Sequence, residues 1–201
     1  WSDVAEFGEL VVSFGGIPEK NLQVVMGGTG NHNNREQLIQ CKKRNVQFIN
    51  ISPLKSDMPE YLEADWIPIK PGTDTALILA ICKILIEEKM YDGDFLNKYT
   101  VGFSEFEKSL MGASDGTPKT ANWAEEITGI PKTTIVALAK RMAGSRCFLT
   151  MGWSLQRAEH GEQPFWASTA LVAMLGQFGL PGGGIGHGIG SISSIGFSGR
   201  K

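Results

Sequence analysis

The residues best equipped for chemistry lie in one short stretch, MGWSLQRAEHGEQP at 151–164, directly after the apolar run RCFLT. Trp153 brings a flat ring and an N–H donor, and Ser154 a hydroxyl. The Arg157 guanidinium can fork onto phosphate or ring oxygens. Gln156, His160 and Gln163 add further polar groups. A set of this kind gathered just past a strand points to a ligand. His160 makes no serine-protease-like triad with its neighbours, and no HExxH pattern surrounds it. Glu162 also suits the first turn of a helix, where its charge meets the dipole. His32 and His187 fall in loops and read as solvated.

Two other stretches carry possible binding chemistry. KPGTD (70–74) is either a plain turn with a helix cap or a site at which the Asp74 carboxylate accepts two hydrogen bonds from a guanine-type edge. FGGIP (14–18) is either a plain strand-to-loop turn or a backbone that approaches a phosphate closely. It is not GxGxxG, so a nicotinamide fingerprint is absent. GLPGGGIGHG (179–188) reads equally as a flexible tail or as a loop laid against a flat ligand or another domain.

Bulk properties exclude several classes. The chain of 201 residues carries a formal net charge of −2, which gives nucleic acid no electrostatic footprint. Cys41, Cys82 and Cys147 lie far apart without CxxC spacing, so no zinc or iron–sulfur site is expected, and all three read as small buried residues. No uninterrupted apolar run is long enough to span a membrane, and no secretory signal is visible. The chain starts at Trp1 rather than Met, which fits a processed protein or a piece of a longer one.

The elements that must position these groups follow from periodicity. ELVVSFGG (9–16), VQFINISP (46–53) and RCFLTMGW (146–153) read as strands, with a short extended piece at WIPIK (66–70). Helices are expected over 35–45, 73–90, 92–99, 103–111, 120–129, 131–144 and 161–179. GGTGNHNN (27–34) is a glycine-rich loop, and residues 180–200 form a Gly/Ser-rich tail with no helical or strand period. The implied fold is α/β: an open, mostly parallel sheet with helices on both faces. Ligands in such sheets bind beyond the carboxyl ends of the strands, where GG, SP and GW stand here.

GWSLQRAEHGEQPFW followed by AMLGQFGLPGGGIG resembles the molybdopterin oxidoreductases of the dimethyl sulfoxide reductase family. More narrowly, it resembles the trimethylamine N-oxide, dimethyl sulfoxide and biotin sulfoxide reductases. IPIKPGTDTALILAI (67–81) and DGTPKTANWAEEITGIP (115–131) resemble the same group. The resemblance spans nearly the whole chain but only an internal portion of those enzymes.

It implies a dinucleotide-binding-like domain over 1–180 that holds molybdopterin guanine dinucleotide, and a segment over 181–201 that leads to a further domain. The implied cofactor is molybdenum bound by two such dinucleotides. Carried over residue by residue, Gly15 and Gly16 lie against the nucleotide, and Ile51 and Ser52 border ribose and guanine. Gly72, Thr73 and Asp74 form the guanine-recognising turn, while Trp153, Ser154 and Arg157 contact the pterin and phosphate portion. Ser52 stands where many relatives carry Asp or Asn, so a charge is missing there.

The molybdenum-ligating serine of the family lies before the matching region, so the chain itself supplies neither a metal ligand nor a catalytic residue. The parent implied is an S- or N-oxide reductase that transfers oxygen from a small oxide. Its electron donor would be a partner such as a c-type cytochrome. Its compartment would be the periplasm, or the cytoplasm if it is like the biotin sulfoxide enzyme. The isolated chain is then expected to be inactive, with Trp66, Phe165 and Trp166 exposed as seams. The alternative is a stand-alone guanine-nucleotide-binding or structural module without redox chemistry.

Overall fold

The structure, a computed structural model, describes residues 1–23 and 32–192. Most of the loop read at 27–34, and the end of the glycine-rich tail, fall outside the described residues. Five parallel strands form the centre: β1 (Leu10–Phe14), β2 (Gln47–Ile51), β3 (Asp65–Ile67), β4 (Cys147–Met151) and β5 (Gly184–His187). Their order across the sheet is β3-β2-β1-β4-β5. The helices are α1 (Ser2–Phe7), α2 (Asn34–Lys43), α3 (Asp74–Glu87), α4 (Gly93–Tyr99), α5 (Phe103–Leu110), α6 (Ala121–Thr128), α7 (Lys132–Ala143) and α8 (Gln163–Met174). This is the expected α/β sheet with both faces covered, and every pairing in it is parallel.

The two faces follow from strand alternation. Leu10, Val12 and Phe14 of β1, Ile49 and Ile51 of β2, and Cys147, Leu149 and Met151 of β4 point to one side. They join Leu77, Ile81 and Leu85 of α3 and Leu171 of α8 in the larger core. Val11, Phe48 and Phe148 point to the other side, against Val4 of α1 and Leu38 and Cys41 of α2. α3 packs against α5, α6, α7 and α8, which explains why it is apolar on nearly every side.

Local chemistry sets the helix ends. The Thr120 hydroxyl accepts from Trp123 N (3.1 Å) to start α6, which stops at Gly129 with φ +76°. The Asp92 carboxylate accepts from Phe95 N (2.8 Å) to start α4.

β5 is the element that the sequence conceals. It lies in the stretch read as having no strand period, yet Gly184 to His187 pair in register with Phe148 to Met151. Two of its four residues are glycines, so no side-chain alternation marks it. Gly186 is required by close packing, since a Cβ there would stand 2.4 Å from Ile189 Cδ1 and 2.8 Å from the Phe148 ring. α1 is likewise absent from the sequence reading. All three cysteines are free and buried, and burial pushes the Cys41 thiol up to about 11 and that of Cys147 to about 12. No helix among the described residues is long and apolar enough to cross a membrane.

From β1 the chain moves outward through β2 to β3. It then returns through α3 to α7 and resumes at β4, on the opposite side of β1. The sheet therefore has a topological switch point between the carboxyl ends of β1 and β4, where connections leave in opposite directions and open a crevice.

Candidate nucleotide-binding cleft

The strand ends are tied together at the switch point. Gly15 N donates to Ile51 O (2.9 Å) and Gly152 N to Phe14 O (2.8 Å). Gly15 turns the chain with φ +86°, and a Cβ on it would reach within 3.4 Å of Ser154 Oγ and 3.5 Å of Gly152 Cα. Beyond these atoms opens a cleft of about 570 Å³, a usual size for a small-molecule site. Three loops wall it: the turn after β2, the approach to α3, and the segment between β4 and α8.

The approach to α3 positions the most unusual group. In KPGTD, Thr73 Oγ1 donates to Lys70 O (2.6 Å) and Thr73 N donates to the same carbonyl (3.3 Å), closing the turn. Gly72 takes φ +76° with open space where a side chain would project. Thr73 holds the cap position without a side-chain cap bond, its hydroxyl being turned back onto the Lys70 carbonyl. Asp74 follows as the first residue of α3. It is 3% exposed and lines the cleft. Burial pushes its carboxyl up to about 6, with only its own backbone amide drawing it back down. A buried carboxylate held at a helix N-terminus, unpaired with any cation among the described residues, is equipped to meet N–H donors from a ligand.

The opposite wall follows β4, through the 3₁₀ turn Trp153–Gln156. Arg157 N donates to Ser154 O (3.0 Å), placing Arg157 at the end of that turn, and its exposed side chain lines the cleft. Among the described residues no carboxylate pairs with it, which leaves its guanidinium free for an anion. His160 also lines the cleft, in the left-handed region with φ +55°, and has long approaches to Glu159 (3.8 Å) and Glu162 (4.0 Å). Gln163 and Pro164, at the start of α8, close this wall.

Asp74 and Arg157 thus face one space from two walls. Gly15, Ile51, Ser52, Gly72, Asp74, Ser154 and Arg157 line the cleft, whereas Gly16, Thr73 and Trp153 are not among its lining residues. Gly16 packs against the turn after β2, where a Cβ would lie 2.4 Å from Asp57 O. Trp153 lies under the segment after β5. Gly188 packs on its indole nitrogen so closely that a Cβ there would come within 2.0 Å, and the His187 ring lies 6.2 Å away. The Trp153 Nε1 is buried without a hydrogen-bond partner. Gln156 faces a separate hollow beside Trp166 and His187. Of the expected seams, Trp166 and Trp66 are exposed and Phe165 is half-buried.

Asp57, which also lines the cleft, was missed by the sequence reading. Its only signal was an acidic residue in the loop SPLKSD after β2. The loop bends back because Ile17 N donates to Asp57 O (2.7 Å).

A parallel sheet wound in both directions from its centre, with helices on both faces and a cleft at its switch point, defines an open α/β protein. The family model for molybdopterin oxidoreductase matches residues 5–194, and the chain belongs to that family. It is 44% identical over 96% of its length to biotin sulfoxide reductase from Cereibacter sphaeroides, covering 26% of that protein. It is 40% identical over 92% of its length to trimethylamine-N-oxide reductase from Haemophilus influenzae, covering 22% of it. With dimethyl sulfoxide/trimethylamine N-oxide reductase from Rhodobacter capsulatus the identity is 42% over 92% of the chain and 22% of the relative. The chain therefore spans about a quarter of the length of these relatives. Acetylene hydratase from Pelobacter acetylenicus shares the fold, with a TM-score of 0.63 at 23% identity over 89% of this chain and 24% of that one.

Proposed function

We propose that this chain is the part of a molybdenum-dependent S- or N-oxide reductase that grips a guanosine diphosphate end of the molybdopterin guanine dinucleotide cofactor. The observation that carries this reading is Asp74, a buried carboxylate without a cationic partner among the described residues, lining an open cleft. A guanine edge offers two N–H donors side by side, and one carboxylate accepts both. Arg157 and the start of α8 suit the diphosphate, by a guanidinium fork and by a helix N-terminus. Gly15 turns the chain at the cleft with φ +86° and no side chain, leaving its backbone open to the ligand. The residues present therefore fit the group.

When bound, the cofactor supplies the molybdenum centre for oxygen-atom transfer. This chain binds and orients the nucleotide end, and its own residues do no chemistry on the oxide. The printed names of the relatives favour a small sulfoxide or N-oxide as the parent's substrate.

Calorimetric titration of the chain with GDP and ADP tests the reading. GDP is expected to bind at least about tenfold more tightly, because adenine sets an acceptor, N1, beside its amino group and so lacks the pair of adjacent N–H donors that one carboxylate accepts together. Equal affinity for the two nucleotides, or binding of neither, defeats it.

A further inference from the structure

The cleft contains a second carboxylate, and its geometry differs from that of a free surface acid. Asp57 closes the 3₁₀ turn Lys55–Asp57 that follows β2. Its carbonyl accepts from Ile17 N (2.7 Å), and its amide donates to Leu54 O (3.2 Å). Gly16 packs so tightly on it that a Cβ there would lie 2.5 Å from Asp57 Cβ. The backbone is thus held from both sides, and the half-buried side chain lines the cleft.

Ser52, at the end of β2, is 1% exposed, and its hydroxyl is engaged twice. It accepts from Leu54 N (3.3 Å) and donates its single proton to Asp57 Oδ2. A hydroxyl can give only one proton, so Ser52 has none left for a ligand. Asp57 accepts that proton on one oxygen, has no cationic partner among the described residues, and retains acceptor capacity on the other. Two adjacent ligand hydroxyls are the donors that such a carboxylate takes best, and charge-assisted bonds of this kind are the strong ones.

We propose that Asp57 is the acceptor for the ribose 2′,3′-diol of the nucleotide, and that Ser52 is a positioning residue that acts through it. This rests on the reading of the cleft as a guanosine diphosphate site. A carboxylate on the nucleotide side of β2 is therefore present, delivered by the returning turn rather than by the strand end.

The test is calorimetric titration of the full chain with GDP, 2′,3′-dideoxy-GDP and ADP. Wild type is expected to bind GDP about 10- to 30-fold more tightly than the dideoxy analogue, the worth of one or two hydrogen bonds to a charged group. Asp57→Asn should shrink that ratio below about threefold and leave the GDP-over-ADP ratio unchanged. Ser52→Ala should weaken the ribose preference in part, and Ser52→Thr, which keeps the hydroxyl, should restore it. A wild-type chain that prefers GDP over ADP yet binds the dideoxy analogue equally well overturns the inference and leaves the proposed function standing. That comparison needs no variant to fold. An Asp57→Asn chain that keeps its full ribose preference overturns it as well. A wild type that does not distinguish GDP from ADP overturns the reading beneath it and the inference together.

Discussion

The two ends of the sheet handle charge in opposite ways. At the amino ends of the strands, charged groups are matched inside the protein. Arg141 forks between Asp65, which starts β3, and Gln47, which starts β2, at 2.6 and 2.7 Å. Lys42 pairs with Glu63 at 2.7 Å, and Glu9 accepts from Arg146 N at 2.7 Å. At the carboxyl ends, Asp74 is buried with its own amide as its counterweight, and Arg157 has no acidic partner among the described residues. One end has closed its polar contacts on itself. The other leaves opposite charges on two walls of a cleft, where burial disfavours the ionised form of Asp74.

Asp74 is where this contrast breaks most readily. Asp74→Asn exchanges one of its two acceptor oxygens for a donor, so GDP affinity should fall about 100-fold by calorimetry. The same change should stabilise the free chain by roughly 2 kcal/mol at neutral pH, read from denaturant midpoints. The sign follows from the direction of the shift. A folded-state value of about 6, raised above the ordinary 3.8, means that the folded chain holds this proton more tightly than the unfolded chain. Its contribution is therefore most favourable below pH 4 and is lost as pH rises through 6. The stability difference between variant and wild type should open across that window. A loss of stability at pH 7 would show that the carboxylate is structural.

Gly16→Ala should rank next. It forces a Cβ onto Asp57 at φ +77° and should cost about 2 kcal/mol, whereas Gly72→Ala, at φ +76° with nothing near, should cost about 1 kcal/mol or less. Equal costs in thermal melts would mean that the turn after β2 is not held as tightly as its hydrogen bonds indicate. Arg157→Ala should weaken GDP about tenfold and leave guanosine almost unaffected, the pattern expected of a guanidinium proposed to grip the phosphates. Arg141→Ala is the smallest expected effect. The pair it breaks is partly exposed, so stability should drop by less than about 1 kcal/mol and GDP binding should not change. A GDP defect in that variant would erase the distinction between the two ends.

Much of this was legible in the chain. β1, β2 and β4 announce themselves as apolar runs stopped by glycine or proline, because strands buried on both faces need no polar alternation. KPGTD and GWSLQR stood out because they crowd ligand-binding chemistry beside such stops. β5 did not, because a strand made of Gly184, Ile185, Gly186 and His187 shows itself only through backbone pairing. Trp153 stood out by its type and neighbours, but only the fold shows that the segment after β5 packs over its ring. Asp57 was silent for a related reason, since its position depends on a bond to Ile17, which is distant in sequence.

Short-range patterning, then, was enough to specify a parallel α/β sheet and to flag which turns carry reactive groups, because hydrophobic periodicity and turn chemistry act over a few neighbouring residues. Which of those groups share a wall, which are covered, and which carboxylate lies unpaired depended on the crossover from β3 to β4 and on contacts between residues far apart along the chain. No local pattern encodes such contacts, because they form only when the sheet assembles and packing selects what remains open.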